Sequence, residues 1–321
     1  MSLAGGQVYL DSYLAPLAPW LGRDDVTDIF VNRPGEVWIE TLTGELERHE
    51  TPGLTRTVLL RLARQIAAAN AQGINRESPL LAASLPDGSR VQVVLPPATR
   101  GDVAIAIRRH VIQDLDLDSY RPALSGASLG PLGAGERKRA RSDDDPVAAL
   151  RRAVRDRRNV LISGGTSTGK TTFLNALLRE VPGHERLILI EDAAELQLRH
   201  ANAVGLIAAR GNQGEADVDA EDLLIAALRM RPDRIILGEL RGREAMTFLR
   251  SVNTGHPGSL TTIHADSPER AIDQLALLVL QSGSKLGWDD VVRYIRRSID
   301  IVVQLSRVDG VRRIEAVSLL D

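Results

Sequence analysis

The 321-residue sequence contains no cysteine. That removes disulfides, thiolate nucleophiles and cysteine-held zinc from consideration. Aromatic residues make up only 3%, which argues against the stacking platforms that hold single-stranded nucleic acid. No run approaches the about 18 uninterrupted apolar residues of a spanning helix, so any membrane contact is expected to be peripheral. The opening "MSLAGGQVYL" has neither the basic nor the apolar region of a secretory signal. A surplus of one charge is missing too. Forty Lys+Arg face 42 Asp+Glu, for a net charge of -2, which fits neither a basic nucleic-acid binder nor an acidic tail protein. A cytoplasmic setting is the expectation.

What remains is an ordinary globular composition, 43% apolar and 26% charged, long enough for two domains of about 100–200 residues each. The expected organisation is α/β: an N-terminal α+β domain over 1–117, a flexible linker over 118–145, and a P-loop NTPase domain over 146–321. In the first domain "VTDIFVN" and "EVWIE" alternate apolar and polar residues around the turn "NRPG", which is a hairpin pattern. "LTRTVLLRLARQIAAANAQ" (54–72) has helical spacing with Thr55 as N-cap. "SRVQVVLPP" and "VAIAIRRH" read as further strands. The linker is rich in Gly, Pro and Ser, then basic in "RKRAR" (137–141), then acidic. Such runs usually only solvate, although this one could touch anionic lipid or nucleic acid. Beyond it, short β-branched strands alternate with helices, the pattern of βαβ units and a mainly parallel sheet.

"GGTSTGKT" (164–171) fits G-x-x-x-x-G-K-[ST] between an apolar strand and a helix. Its glycines allow backbone N–H groups to close on phosphate oxygens, and the helix N-terminus adds partial positive charge. Gly164, Gly165, Thr166, Ser167, Thr168, Gly169, Lys170, Thr171 and Thr172 are therefore the candidate nucleotide-binding residues, with ATP and Mg²⁺ as ligands. Lys170 would reach the β- and γ-phosphates, and the Thr171 hydroxyl would bind Mg²⁺. The strand-like "DRIILGEL" ends in Glu239, placed to hold the metal shell through water. "LILIEDAAEL" carries Glu191, Asp192 and Glu195, one of which could orient and deprotonate an attacking water, with Glu191 the first candidate. The bland reading is a set of acids at a helix N-terminus.

Two of the six histidines lie in "GHPGSLTTIHADSPER". A spacing of eight is not the i, i+4 pairing of a helical metal site. His264 ends the strand "SLTTIH", where an imidazole could sense the γ-phosphate. His256 sits in a Gly/Pro turn, and its role stays open.

Four boxes in order, "GGTSTGKT", "LIEDAAEL", "RMRPDRIILGELRGREA" and "GHPGSLTTIHADSPERA", together with the N-terminal "VTDIFVNRPGEVWIE" and "LPDGSRVQVVLPP", resemble the secretion ATPase superfamily. The resemblance covers nearly the whole chain outside the linker. It implies a RecA-like second domain, a homohexamer, and ATP bound between the two domains. It also implies Glu191 as catalytic carboxylate, Glu239 as the magnesium-side acid, a histidine box around His264, and arginines at subunit boundaries. Matching candidates are Arg90, Arg108, Arg109 and Arg241. Type II and pilus-extension members usually carry a four-cysteine zinc insert, which this sequence lacks. The short length and "TTIHADSP" look most like the type IV secretion, VirB-class, branch; Flp-type and pilus-retraction ATPases are the alternative. Implied partners are other secretion components at the inner membrane, with nucleic acid not expected as a direct ligand.

Overall fold

A computed structural model describes residues 10–109, 115–120, 128–132, 145–208, 218–308 and 311–320. These fall into two compact units, with 10–109 in the first and the rest in the second.

The first unit packs one long helix, and a short helical segment at Ala18–Leu21, on an antiparallel sheet. Its strands are β1 (Val26–Val31), β2 (Glu36–Thr41), β3 (Leu46–Glu50), β4 (Leu80–Ser84), β5 (Arg90–Val94) and β6 (Ala104–Arg108), in the order β3-β2-β1-β6-β5-β4. The β1–β2 hairpin forms as its alternation predicts, with Gly35 taking the positive φ that its turn requires. Helix α1 (Arg56–Ala69) begins where Thr55 accepts a hydrogen bond from the Val58 amide at 3.3 Å. Its Leu59, Leu62, Ala63 and Ile66 recur at helical spacing and bury against the inward residues Ile29, Val31, Val37, Ile39, Val93 and Ile107.

The second unit is a sheet covered on both faces. Its elements are β7 (Ser128–Pro131), α2 (Pro146–Arg155), β8 (Val160–Gly164), α3 (Lys170–Leu178), β9 (Leu187–Glu191), β10 (Ala203–Ile207), α4 (Ala220–Leu228), β11 (Arg234–Leu237), α5 (Glu244–Asn253), β12 (Leu260–Ile263), α6 (Pro268–Gln281), α7 (Trp288–Ser298), β13 (Ile301–Val308) and β14 (Val311–Leu319). The strand order is β10-β9-β11-β12-β8-β13-β14-β7. The strands from β10 to β13 run parallel, and β14 turns back antiparallel. Val160, Ile162, Leu187 and Leu189 pack under α2 and α3, whereas Leu161, Ile188, Ile190 and Leu237 pack under α4 to α7. Burial on both faces explains why these strands read as continuous apolar runs rather than alternating ones.

The stretch expected as linker is not wholly free of structure. Tyr120 belongs to the core of the second unit, as does Leu117, which was expected to close the first domain, and β7 pairs with β14. A four-residue strand spelled with Ser, Gly and Pro leaves no periodicity to read. The basic run 137–141 lies outside the described residues.

Candidate active site

Register sets the site. Ile263 lies opposite Ser163, and Leu237 opposite both Thr261 and Ile190, so β8, β9, β11 and β12 end level at one edge. In such sheets ligands bind outside the carboxyl ends of the strands. Bonds beyond the strands hold that edge: the Leu240 amide donates to Thr262 O at 2.8 Å, and Thr262 Oγ1 donates to Gly238 O at 2.7 Å.

The loop after β8 turns tightly into α3. Gly169 has φ 89°, and Ser167 also takes a positive φ of 60°. A Cβ on Gly164 would stand 2.5 Å from Thr168 Oγ1 and 3.0 Å from Leu305 O. Buried Lys170 folds back over the loop, with Nζ donating to the carbonyl oxygens of Gly164 at 2.8 Å and Gly165 at 3.1 Å. The same ammonium lies 3.3 Å from His264 Nδ1. His264 Nε2 in turn lies 2.8 Å from Glu239 Oε1. Nε2 also lies 3.4 Å from the lysine Nζ, so the ring sits between the ammonium and the carboxylate.

Glu239 stands two residues beyond β11. The Arg241 guanidinium grips its Oε2 and also reaches toward Asp192 at 3.6 Å. Its Oε1 is buried and has no aligned hydrogen-bond donor despite the imidazole nearby. A buried carboxylate oxygen without an aligned donor is the chemistry that a water-shelled magnesium ion takes up. The donor set therefore fits the metal.

Glu191, at the end of β9, and Glu195, in the loop beyond it, have different partners. Glu191 Oε2 accepts from the backbone amides of Glu195 at 2.8 Å and Leu196 at 2.7 Å, which shapes the 192–197 loop. Glu195 Oε2 accepts from the Thr171 hydroxyl at 3.1 Å. Asn175, buried on α3, braces the same loop through Glu195 O and the Gln197 amide. Sequence reading passed over Asn175, although an amide within the apolar "FLNALL" was a visible signal.

The arginines separate. Arg241 joins the site. Arg90, Arg108 and Arg109 belong to the first unit, with Arg90 directly opposite Arg108 across β5 and β6. Arg109 Nη1 donates to the carbonyl oxygens of Arg23 and of Val26, the latter at 3.1 Å. His256 lies at the opposite edge of the sheet, where Nδ1 stands 3.0 Å from Pro232 O and its own carbonyl takes the Ser259 hydroxyl.

That opposite edge is clamped by groups that sequence reading missed. Arg234, with no exposed surface, gives Nε to Glu185 Oε2 at 2.6 Å and Nη2 to Oε1 at 3.0 Å, while Nη1 donates to Val154 O at 2.6 Å. Burial alone would raise the Glu185 carboxyl, but the hydrogen bonds and charge of Arg234 outweigh it and hold the group below its ordinary value. Asn159 joins the starts of β8, β12 and β13 through Ser298 O, the Gly258 amide and Asp300.

A phosphate-binding loop at the level ends of parallel strands, with the acids Glu191, Glu195 and Glu239 at or just beyond the ends of β9 and β11, defines a P-loop protein of the RecA-like class. The family described as Type II/IV secretion system protein matches residues 12–310, and the chain belongs to that family. It is 37% identical over 317 residues to the type IV secretion system protein VirB11 of Bartonella henselae, covering 92% of this chain and 89% of that one. The crystal structure of the VirB11 ATPase from the Brucella suis type IV secretion system, in complex with sulphate, shares 35% identity at a TM-score of 0.50 over 99% of this chain and 96% of that chain. The pilus retraction motor PilT with bound ADP shares the fold, at 18% identity and a TM-score of 0.61, over 96% and 83% of the two chains. Among the described residues, no helix is long and apolar enough to cross a membrane.

Proposed function

We propose that this chain is a Mg²⁺-dependent ATPase that powers substrate transfer or pilus biogenesis in a bacterial type IV secretion system. It would act as a homohexamer at the cytoplasmic side of the inner membrane, beside other components of that system. One observation carries the reading: Lys170, Thr171, Glu195, Glu239 and His264 converge at the ends of β8, β9, β11 and β12. The VirB11 relatives supply the secretion setting.

Amides of residues 165–171 and the start of α3 would cradle the phosphates. Lys170 would exchange its own loop carbonyls for the β- and γ-phosphate oxygens. Thr171 Oγ1 and the orphaned oxygen of Glu239 would hold the metal, the second through water. Magnesium held there would supply positive charge that offsets the negative charge developing on the transferred phosphate. Glu195 reaches the Thr171 hydroxyl, whereas one oxygen of Glu191 is already committed to two amides. Of the two, Glu195 is therefore better placed to orient the attacking water, with Glu191 holding its loop. His264 bridges Lys170 and Glu239, so loss of the γ-phosphate would be felt at both. Arginines supplied at a subunit boundary would stabilise charge in the transition state.

Lys170→Ala tests the reading directly. Phosphate release with Mg²⁺-ATP should fall at least about 100-fold, the scale for loss of one fixed charge at a transition state. Unchanged turnover would refute the site. Light scattering with and without Mg²⁺-ATP tests the ring, and a chain that stays monomeric while turning over would remove the hexamer from the proposal.

A further inference from the structure

The far flank of the phosphate loop holds charge that the reading above leaves unused. In the sheet, β8 lies between β12 and β13. Every acid of the site, and His264, follows β9, β11 or β12, all on one side of β8. The metal and the terminal phosphate therefore belong on that side. The nucleoside end must leave toward β13 and β14.

There the strands place two arginines face to face. Arg307 on β13 is the register partner of Arg312 on β14. Alternation puts Arg307 on the same face as Leu305, and Arg312 on the same face as Ile314. Leu305 Cβ would stand 3.3 Å from a Cβ on Gly164, so this face is the one that meets the phosphate loop. Arg312 lies along Gly169, with its Cδ 2.9 Å and its Nε 3.2 Å from the point where a Cβ would be. Its charge also acts on the buried phenol of Tyr120. Tyr120 meets Phe173 of α3 edge-on, with ring centroids 5.0 Å apart.

We propose that Arg312, with Arg307 beside it, seats the α-phosphate end of the bound nucleotide. The inference rests on the nucleotide reading of the P-loop and adds the direction in which the nucleotide lies. Arg312 supplies a planar fork suited to phosphate oxygens. The bare glycine at 169 gives that fork room to reach the first turn of α3.

The test compares ADP with inorganic pyrophosphate on the full chain. Affinities are read by displacement of a fluorescent ADP analogue, with Arg312→Gln, Arg307→Gln and Arg312→Lys beside the parent. Arg312→Gln should weaken ADP about tenfold or more, the scale of a lost charge-assisted hydrogen bond. Pyrophosphate, held by Lys170 and the loop amides, should change less than about threefold, within the loss of a screened neighbouring charge. Arg312→Lys should restore part of the ADP affinity. Equal losses for both ligands would mean a general field or a structural role and would overturn the seat, as would no loss for either. A parent chain that binds neither ligand would overturn both this inference and the nucleotide reading beneath it. Parent binding with an unchanged Arg312→Gln would overturn the inference alone.

Discussion

Glu185→Gln removes one partner from the Arg234 clamp and leaves the shape almost unchanged. Glu185 is 3% exposed and Arg234 0%. The guanidinium cannot shed its proton, so the variant strands a buried cation. Two charge-assisted bonds, at 2.6 and 3.0 Å, become one neutral bond and one contact between an amide NH₂ and an N–H. Arg157, 3.4 Å from the same carboxylate and 39% exposed, can turn to water; Arg234 has no such exit. Breaking a buried pair from one side costs about 3–5 kcal/mol. For a unit of this size that is a fall in melting temperature of roughly 10 °C. Scanning calorimetry should show the shift in the transition of the second unit, with the first unit unmoved. The pH dependence has a definite sign. The folded value of Glu185 lies below the unfolded one, so its contribution is complete above the ordinary glutamate range. It is lost as pH falls through the folded value. The gap between parent and variant should therefore narrow in acid. A cost below about 1 kcal/mol near neutral pH, on the scale of an exposed pair, or a gap that widens in acid, would refute the reasoning.

Gly169→Ala forces a side chain onto φ 89° and against Arg312. It should cost about 1–2 kcal/mol and weaken ADP binding, read by titration calorimetry. Glu191→Ala leaves two amides of the 192–197 loop without their acceptor. It should destabilise the second unit by about 2–4 kcal/mol and lower turnover as a consequence. Glu195→Gln, by contrast, should lower kcat and raise the Mg²⁺ concentration needed, with melting nearly unchanged; the reverse pattern would exchange the two roles. Arg109→Leu removes the donor that holds the carbonyls of Arg23 and Val26. Its effect, about 1.5–3 kcal/mol, should fall on the melting of the first unit.

The phosphate loop was legible because its chemistry is local: eight consecutive residues, a strand before and a helix after. Thr55 and the first hairpin were legible for the same reason. The parallel strands announced themselves by apolar runs. What stayed hidden depends on distant pairing. β10, β13 and β14 were passed over, although β13 borders the P-loop strand. Arg234 sits in "DRIILGEL" like any surface charge preceding a strand; its partner lies 49 positions away in sequence. Arg312 has no local mark, since only the register of β14 brings it to Gly169. Among the acids after "LILI", the sequence put Glu191 first, because neither the hydrogen bonds that Glu191 makes to loop amides nor the contact of Glu195 with Thr171 can be read from spacing. The proposed reversal came from which carboxylate met backbone and which met Thr171.

The two edges of the second sheet have opposite mechanical character. At one, Asn159 and Arg234 with buried bonds, and His256 with a half-buried one, tie the beginnings of the strands together. At the other, the loops after β8, β9, β11 and β12 meet mainly through the side chains of Lys170, Thr171, Glu191, Glu195, Glu239 and His264. The sheet is thus a comb with its spine set firm and its teeth ending in chemistry. A push delivered at the tips cannot be relieved by sliding the strands past one another, because their roots are pinned. It has to leave sideways, through the loops that carry Glu239, His264 and Glu195.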